Sequence, residues 1–284
     1  MEIVIYGSRR QHDFGAQIRQ LVLSLIMDGA DVVMHEKLYD HLTTVLDLTL
    51  PGVRRVKECP AGANLAISVG GDGTLLRTVL WIGTLNMPVL GINTGHLGYL
   101  TALTLDEALA HTEMIVNCEF RKEKHSMLRV SAPGVLPSGM ALNEIVVSKE
   151  ESASMITART LLNGNLLAEY KADGLIVSTP TGSTAYNLSV GGPIVEPEAP
   201  VWIVTPIAAH SLTLRPLVVS DDSHIEITVD GRGSKFRLAV DGRSVSLPMG
   251  TAVQIDKSEH CVEILRRKDR TFTDIIGTKL LFNS

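Results

Sequence analysis

The stretch NLAISVGGDGTLLRT, Asn64 to Thr78, decides the fold of this chain. Asn64 to Val69 reads as a short buried strand, Gly70 to Thr74 as a tight turn, and Leu75 to Leu80 as the start of a helix. Strand, glycine turn and helix in that order aim backbone N–H groups and a helix N-terminus at one spot, which favours an anion. Gly70, Gly71 and Gly73 let a phosphate approach the backbone and permit positive φ. Asp72 is the discordant member, because phosphates repel a carboxylate. Its place makes sense if it holds a metal ion or accepts a proton from a nucleophile, and that contradiction points to phosphoryl transfer. The same residues are also good turn chemistry with Asp72 as an N-cap, so a purely structural turn stays open at this point. The glycine pattern is neither G-x-x-x-x-G-K-[ST] nor G-x-G-x-x-G, since Leu76 stands where the last glycine of the latter would be.

Working outward, 284 residues suffice for two ordinary domains or one large one. A hydrophobic content of 45% with 20% charged residues fits a soluble globular protein, and an aromatic content of only 4% leaves the core to aliphatic side chains. The net charge of −5 argues against a nucleic-acid binder with a basic face. Cys59, Cys118 and Cys261 are odd in number and widely spaced, so neither a disulfide framework nor a metal motif emerges and a cytoplasmic setting is expected. MEIVIYGSRRQ is a strand followed by a basic turn rather than a signal peptide. No stretch approaches the roughly 18 apolar residues of a membrane span. The sequon Asn187-Leu188-Ser189 carries no meaning in such a setting.

Residues 1–100 alternate strand and helix. Glu2 to Tyr6 reads as a strand, Gln17 to Met27 as a helix ended by Asp28-Gly29, Asp31 to Met34 as a strand, His41 to Leu48 as a helix, and Met87 to Ile92 as a strand. Such alternation predicts a parallel sheet with flanking helices, and ligands then lie beyond the carboxyl ends of the strands. Both Gly70 to Thr74 and Gly91 to Gly98 fall there. After Tyr99 short β-rich runs take over: Ser126 to Val130, Met140 to Ser148, Ile156 to Leu162, Leu166 to Tyr170, Gly174 to Ser178 and Trp202 to Thr205. His224 to Val229, Lys235 to Val240, Ser244 to Leu247, Thr251 to Ile255 and Cys261 to Leu265 complete the series. Asn163-Gly164-Asn165 and Asp241-Gly242 are hairpin turns. The expected organisation is an α/β domain at 1–100, a mostly antiparallel β-rich domain at 101–267, and an apolar helical tail, Phe272 to Phe282, returning at about 268–284 to the first domain.

Three polar islands interrupt the β-rich half. Thr179-Pro180-Thr181-Gly182-Ser183-Thr184-Ala185-Tyr186 follows a buried strand and offers hydroxyls for ribose, phosphate or amide groups, though a structural loop has the same composition. Asn143-Glu144 breaks an apolar strand; adjacent strand residues face opposite sides, so at least one points into a site unless the strand is an edge or bulged. His210-Ser211 to Arg215-Pro216 is the third, where His210 alone is more simply a structural histidine. Neither G-x-S-x-G nor H-E-x-x-H occurs. Arg77, one turn into the glycine-loop helix, suits phosphate oxygens or solvent equally.

Taken together the chain resembles the NAD kinase family. The resemblance rests on GGDGT at Gly70 to Thr74, GINTGHLGYL at Gly91 to Leu100, Asn143-Glu144, DGLIVSTPTGSTAYNLSVGGPIV from Asp173 to Val195, and HSLTLRPLV from His210 to Val218. GGDGT alone is shared with lipid kinases and phosphofructokinases; the long Asp173 to Val195 block is specific. The resemblance implies phosphorylation of the 2′-hydroxyl of the adenosine ribose of NAD by ATP with a divalent cation, Mg²⁺ arriving with the nucleotide. It implies an α/β domain followed by a β-rich one, in a homodimer or homotetramer.

Carried over by motif, Asp72 becomes the catalytic base, with Gly70, Gly71, Gly73 and Thr74 as the phosphate loop and Gly73 against the nucleotide. Asn143 and Glu144 would hold NAD, Asp173 its nicotinamide side, and Thr184, Ala185, Tyr186, Asn187, Leu188 and Ser189 the adenosine. Arg77, Lys171 and Ala208 match further ligand contacts. Arg243 stands where the family often has glutamine, and Lys171 where arginine is common, which weakens a bidentate phosphate contact. Two rival readings remain: a lipid or sugar kinase sharing GGDGT, disfavoured by the lack of an apolar acyl groove, and a non-catalytic dinucleotide sensor, for which Asp72 has no use.

Overall fold

The computed structural model describes residues 1–8, 12–95, 98–134, 139–150, 155–211 and 213–280. Arg9, Arg10 and Gln11 of the basic turn, His96 and Leu97 of the second motif, Leu212 of the His210 stretch, and Leu281 and Phe282 of the tail lie outside the described residues. The chain forms two compact units, Met1–Lys124 with Val262–Ser284, and His125–Cys261.

The first unit is built on β1 (Glu2–Gly7), α1 (Gly15–Met27), β2 (Asp31–His35), α2 (Glu36–Asp40), β3 (Arg54–Val56), β4 (Leu65–Val69), α3 (Asp72–Ile82) and β5 (Val89–Asn93). Its strands pair in the order β5-β4-β1-β2-β3, all parallel. Helices cover both faces, which is why β4 and β5 read as unbroken apolar runs rather than alternating ones. On one face Ile18, Leu21, Val22 and Leu25 of α1 pack with Ile3, Ile5, Ile67 and Ile92. On the other, Leu75, Val79 and Ile82 of α3 are buried apart from that cluster.

The unit does not end at residue 100. β6 (Leu103–Thr104), α4 (Leu105–Ala110) and α5 (Thr112–Val116) follow, and Leu103, Leu105, Ala108, Ile115 and Phe120 join the α1 face. That burial draws the boundary past the expected 100/101. The capping box of Thr104 and Glu107 that starts α4 was legible in the sequence. The returning chain is tied to the same helix, because Glu107 accepts from Arg267 at 3.0 Å and Arg270 at 2.7 Å. Leu265 enters the α1 core, so the division falls before Val262 rather than at 267/268. The tail helix α7 spans Phe272–Leu280 and buries Ile276.

The second unit is a β sandwich. β7 (Arg121–Ser131), β8 (Met140–Ala141), β9 (Glu144–Lys149), β10 (Ile156–Leu162), β11 (Asn165–Ala172) and β12 (Gly174–Ser178) lead to the short helix α6 (Tyr186–Ser189). Then come β13 (Val201–Ile207), β14 (Leu217–Ser220), β15 (Ile225–Gly231), β16 (Lys235–Val240), β17 (Arg243–Pro248) and β18 (Ala252–Arg266). One sheet runs β14-β13-β12-β9-β16-β17, antiparallel throughout; the other carries β11-β10-β15-β18, with β7 beside β18. Alternate residues of both sheets meet in one core around Trp202, Phe236, Leu175, Ile227 and Val253.

Several elements depart from the sequence reading. α3 begins at Asp72, so Gly73 and Thr74 belong to its first turn rather than to a preceding loop. His41 to Leu48 is not one α-helix: α2 ends at Asp40 and His41–Val45 continues as a π turn. Met140 to Ser148 is broken into β8 and β9 at Leu142 and Asn143. Thr251 to Ile255 and Cys261 to Leu265 are parts of the single strand β18, and the strand β14 follows directly on the polar island His210 to Pro216.

Phe236 is fully buried in the sandwich core with Trp202. Phe236→Ala is expected to destabilise this unit by about 3–5 kcal/mol, measured by urea unfolding followed through Trp202 fluorescence; a loss below about 1 kcal/mol would contradict this packing.

Candidate active site

In the first unit the glycine turn does what its composition demands. Gly70 takes a φ of 141°, its N–H reaches the Ile92 carbonyl at 2.8 Å, and Gly71 is the extended residue from which α3 departs. α3 has no side-chain cap, so its first N–H groups face outward with the positive end of the helix dipole. Gly73 and Arg77 are exposed at this end, and Arg77 Nη2 donates to Thr74 Oγ1 at 3.1 Å.

Asp72 is half-buried at the first position of α3, and its carboxylate is held by a distant loop. Oδ2 accepts the Tyr99 N–H at 2.8 Å and Oδ1 the Leu100 N–H at 3.0 Å. A Cβ at position 98 would lie 2.0 Å from Asp72 Oδ1, so only glycine lets the loop close over the carboxylate. The loop is further pinned by Gly98 N–H to Thr101 Oγ1 at 2.8 Å and Gly95 N–H to Asn93 Oδ1 at 2.7 Å. Each carboxylate oxygen keeps a lone pair for an incoming hydroxyl. Burial first, and the Asp72 charge second, push the Tyr99 phenol above its ordinary range.

In the second unit Asn143 and Glu144 sit where β8 gives way to β9. Asn143 Oδ1 and Glu144 Oε2 are buried without a hydrogen-bond partner among the described residues. A buried polar atom left in this state costs free energy unless a ligand or water supplies a partner. Desolvation first, and the neighbouring Asp241 carboxylate second, raise the Glu144 carboxyl to about 7, against one stabilising bond from the Tyr186 N–H. The hydroxyl-rich loop wraps the same segment: Thr179 Oγ1 donates to the Leu142 carbonyl at 2.6 Å and the Thr179 N–H to the Asn143 carbonyl at 2.9 Å.

Thr184 and Ala185 are half-buried in that loop, Tyr186 and Ser189 are exposed, and Leu188 is partly buried. Asn187 points inward. Its Nδ2 donates to the Ser183 and Pro193 carbonyls at 3.1 and 3.0 Å, and its Oδ1 accepts from Thr205 Oγ1 at 2.7 Å. Both of its N–H donors are spent on the protein, which makes it the organiser of the loop.

The structure does not gather every sequence-derived residue. Asp173 precedes β12, and in the β12–β9 register Gly174 faces Ser148 whereas Ser178 faces Glu144. Asp173 therefore lies just beyond the opposite end of that strand, about 16 Å from Glu144 along it, five residues at roughly 3.3 Å each. Around it are Lys149, whose Nζ meets Asp173 Oδ1 at 2.7 Å, exposed Ala208 with a φ of 47°, and Lys171, whose carbonyl accepts the His210 N–H at 2.9 Å. Lys171 also lines an open cavity of about 460 Å³ with Thr157, Asp230 and Arg232. Arg243 Nη2 donates to the Met140 carbonyl at 3.0 Å, beside Asn143. Asp241, read in the sequence only as half of a turn, reaches the Asn143-Glu144 segment through a contact 97 residues away that no local pattern announces.

No group of three or more His, Cys, Asp or Glu side chains among the described residues could grip a cation unaided. A Mg²⁺ that arrives on nucleotide phosphates asks for one or two carboxylates at most, and Asp72 at the glycine turn fits that need.

Residues 18–120 match the ATP-NAD kinase N-terminal domain model and residues 142–267 the ATP-NAD kinase C-terminal domain model. The NAD kinase of Porphyromonas gingivalis is 38% identical over 283 residues, covering 100% of this chain and 98% of its own. That of Bacteroides fragilis is 35% identical over 286 residues, covering 100% and 99%. Among solved structures, yeast NADH kinase complexed with NADH aligns with a TM-score of 0.87 at 25% identity, over 100% of this chain and 88% of that one. An NAD kinase from Archaeoglobus fulgidus in complex with ATP aligns with a TM-score of 0.76 at 26% identity, over 98% of each. With both domain models matched and relatives aligned along its whole length, the chain belongs to the NAD kinase family.

Proposed function

We propose that this chain transfers the γ-phosphoryl group of ATP to the 2′-hydroxyl of the adenosine ribose of NAD, giving NADP and ADP. The observation that carries the reading is the Asp72 carboxylate, pinned by the Tyr99 and Leu100 amides at the N-terminus of α3 with a lone pair left on each oxygen. The 2′-oxygen attacks the γ-phosphorus, the bond to the β-phosphate oxygen breaks, and Asp72 takes the hydroxyl proton. Gly70, Gly71, Gly73 and Thr74 would form the phosphate turn, Gly70 and Thr74 holding its shape through the Ile92 and Gly71 carbonyls while the amides of Gly71 and Gly73 face phosphate oxygens, with Arg77 one turn further on. A divalent cation bound with ATP would offset phosphate charge, with Asp72 as its candidate protein ligand.

Asn143 and Glu144, with their unpartnered Oδ1 and Oε2, are assigned to the hydroxyls and amide of NAD. Thr184, Ala185, Tyr186, Leu188 and Ser189 would line the adenosine, with Asn187 holding that loop in shape. Lys171, Asp173 and Ala208 sit too far along β12 to share one small patch with Glu144. They would serve the distant end of the dinucleotide or that of a neighbouring copy in a homodimer or homotetramer, whereas Arg243, beside Asn143, would serve the Glu144 end. Free Cys59, Cys118 and Cys261 suit a cytoplasmic setting. No helix of the described residues is long and apolar enough to cross a membrane.

General-base help is worth about 10² to 10⁴ in rate. Asp72→Asn should lower kcat by that factor, and Gly98→Ala, which drives a methyl into the carboxylate, should also lower kcat with Asp72 still present. Both should keep NAD affinity within a few-fold by calorimetry; near-normal turnover of Asp72→Asn would remove it from the chemistry. Ionised Glu144 accepts on both oxygens and binds ribose hydroxyls more strongly than the protonated acid, so KM for NAD should fall as pH rises through about 7. Glu144→Gln should flatten that dependence, and an unchanged profile in the variant would assign the titration elsewhere. Light scattering on the purified protein should give a dimer or tetramer mass; a monomer that turns over NAD at full rate would leave Lys171, Asp173 and Ala208 only a role within one chain.

A further inference from the structure

The hairpin of β16 and β17 closes on two residues, with Val240 opposite Arg243 and positive φ at both Asp241 (44°) and Gly242 (77°). This is the twist-matched type I′ turn, in which aspartate and glycine are favoured for backbone reasons alone. The Asp241 side chain does more than fill the turn. Its Oδ2 accepts the Leu142 N–H at 2.7 Å, and its Oδ1 accepts the Asn143 and Glu144 N–H groups at 2.9 and 3.1 Å. Its own N–H donates to the Glu144 carbonyl at 3.1 Å, and Arg243 takes the Met140 carbonyl. The break between β8 and β9 is thus satisfied by a carboxylate instead of by a neighbouring strand.

We propose that Asp241 is a positioning residue for the dinucleotide: by binding three successive amides it holds the backbone at the angle that leaves Asn143 Oδ1 and Glu144 Oε2 unpartnered and ready for substrate. Two further features support this. The opposite edge of the same segment is fixed by Thr179, whose hydroxyl donates to the Leu142 carbonyl and whose N–H donates to the Asn143 carbonyl, so the amide side is the one left to Asp241. And Asp241 acts on Glu144 through charge as well as geometry. Glu144 is faced by Asp241 from the hairpin turn and by the Tyr186 N–H from α6, while Arg243 stands beside Asp241 and moderates it. Burial keeps Asp241 itself above the ordinary carboxylate range despite its three amides. The inference rests on the assignment of Asn143 and Glu144 to NAD.

Two variants test it. Asp241→Gly keeps the positive φ without strain and removes the carboxylate; Asp241→Asn is nearly isosteric, removes the charge and one acceptor, and sets an NH₂ donor against an amide that loses its acceptor. Amide exchange at 142–144 should accelerate in both, and the dissociation constant for NAD, measured by calorimetry, should rise about tenfold to a hundredfold. KM for ATP should stay within about twofold, and the pH midpoint of NAD binding should move down in Asp241→Asn because a like charge has gone. A turn residue of purely structural use would shift neither the midpoint nor NAD binding alone. Faster exchange at 142–144 with unchanged NAD affinity and midpoint would overturn the proposal. Should Asp241→Gly fail to fold, Asp241→Asn carries the test. A wild type that binds NAD without forming ADP would defeat the kinase reading, while the same affinities would still decide the role of Asp241.

Discussion

The structure depends on how backbone amides are satisfied where regular elements give way to the site. A buried N–H without an acceptor costs on the order of 1–3 kcal/mol, and loops that must present polar atoms to a substrate cannot borrow their acceptors from a sheet. In both units the answer is an aspartate from a remote part of the chain. Asp72, at the start of α3, collects the amides of Tyr99 and Leu100; Asp241, in a hairpin turn, collects those of Leu142, Asn143 and Glu144. Each carboxylate satisfies the amides of a segment whose side chains Leu100 and Leu142 are buried but whose backbone has no strand to pair with there. A charged acceptor makes these bonds stronger than neutral ones would be.

Close approach is the second constraint, and it is complementary to the first. A carboxylate can lie across a backbone only if that backbone has nothing to place in its way, and at position 98 even a methyl group would collide with Asp72. The glycine is needed there for space. Asn187 shows the same economy in polar form: each of its donors is matched to a carbonyl and its oxygen to Thr205, so a loop rich in hydroxyls keeps one shape.

Local chemistry made much of this legible. β4 followed by glycines and an apolar helix announces itself by period and punctuation, and so do the two-residue hairpin turns at Asn163-Gly164 and Asp241-Gly242. What stayed hidden was non-local. β18 reads as two strands because the polar run Asp256 to His260 interrupts its apolar pattern without ending the strand. α4 and α5 were missed because short helices carry too few periodic positions to stand out, although the Thr104–Glu107 box marked one start. Asn143-Glu144 was legible as an anomaly, but the partner that explains its backbone lies 98 residues on, and only the fold brings Asp241 there. The separation of Asp173 from Glu144 likewise follows from strand register, which sequence order does not reveal.

Electrostatics explains why so confined a site tolerates two neighbouring acids. Glu144 is raised to about 7 in the folded chain, above its ordinary value of 4.5. The folded state therefore favours the protonated form: this contribution to stability is fully present below the lower value and is lost as pH rises through about 7. At neutral pH the empty site thus carries a strained, partly ionised carboxyl, desolvated and facing Asp241. Hydrogen-bond donors on a ribose would relieve that strain by supplying what burial withheld, so part of the binding energy is the removal of a penalty already present in the free protein. An apolar residue at 144 would remove this desolvation penalty but leave the Tyr186 N–H without its carboxylate and, on the proposed assignment, NAD without an acceptor, the usual opposition between stability and function at a site.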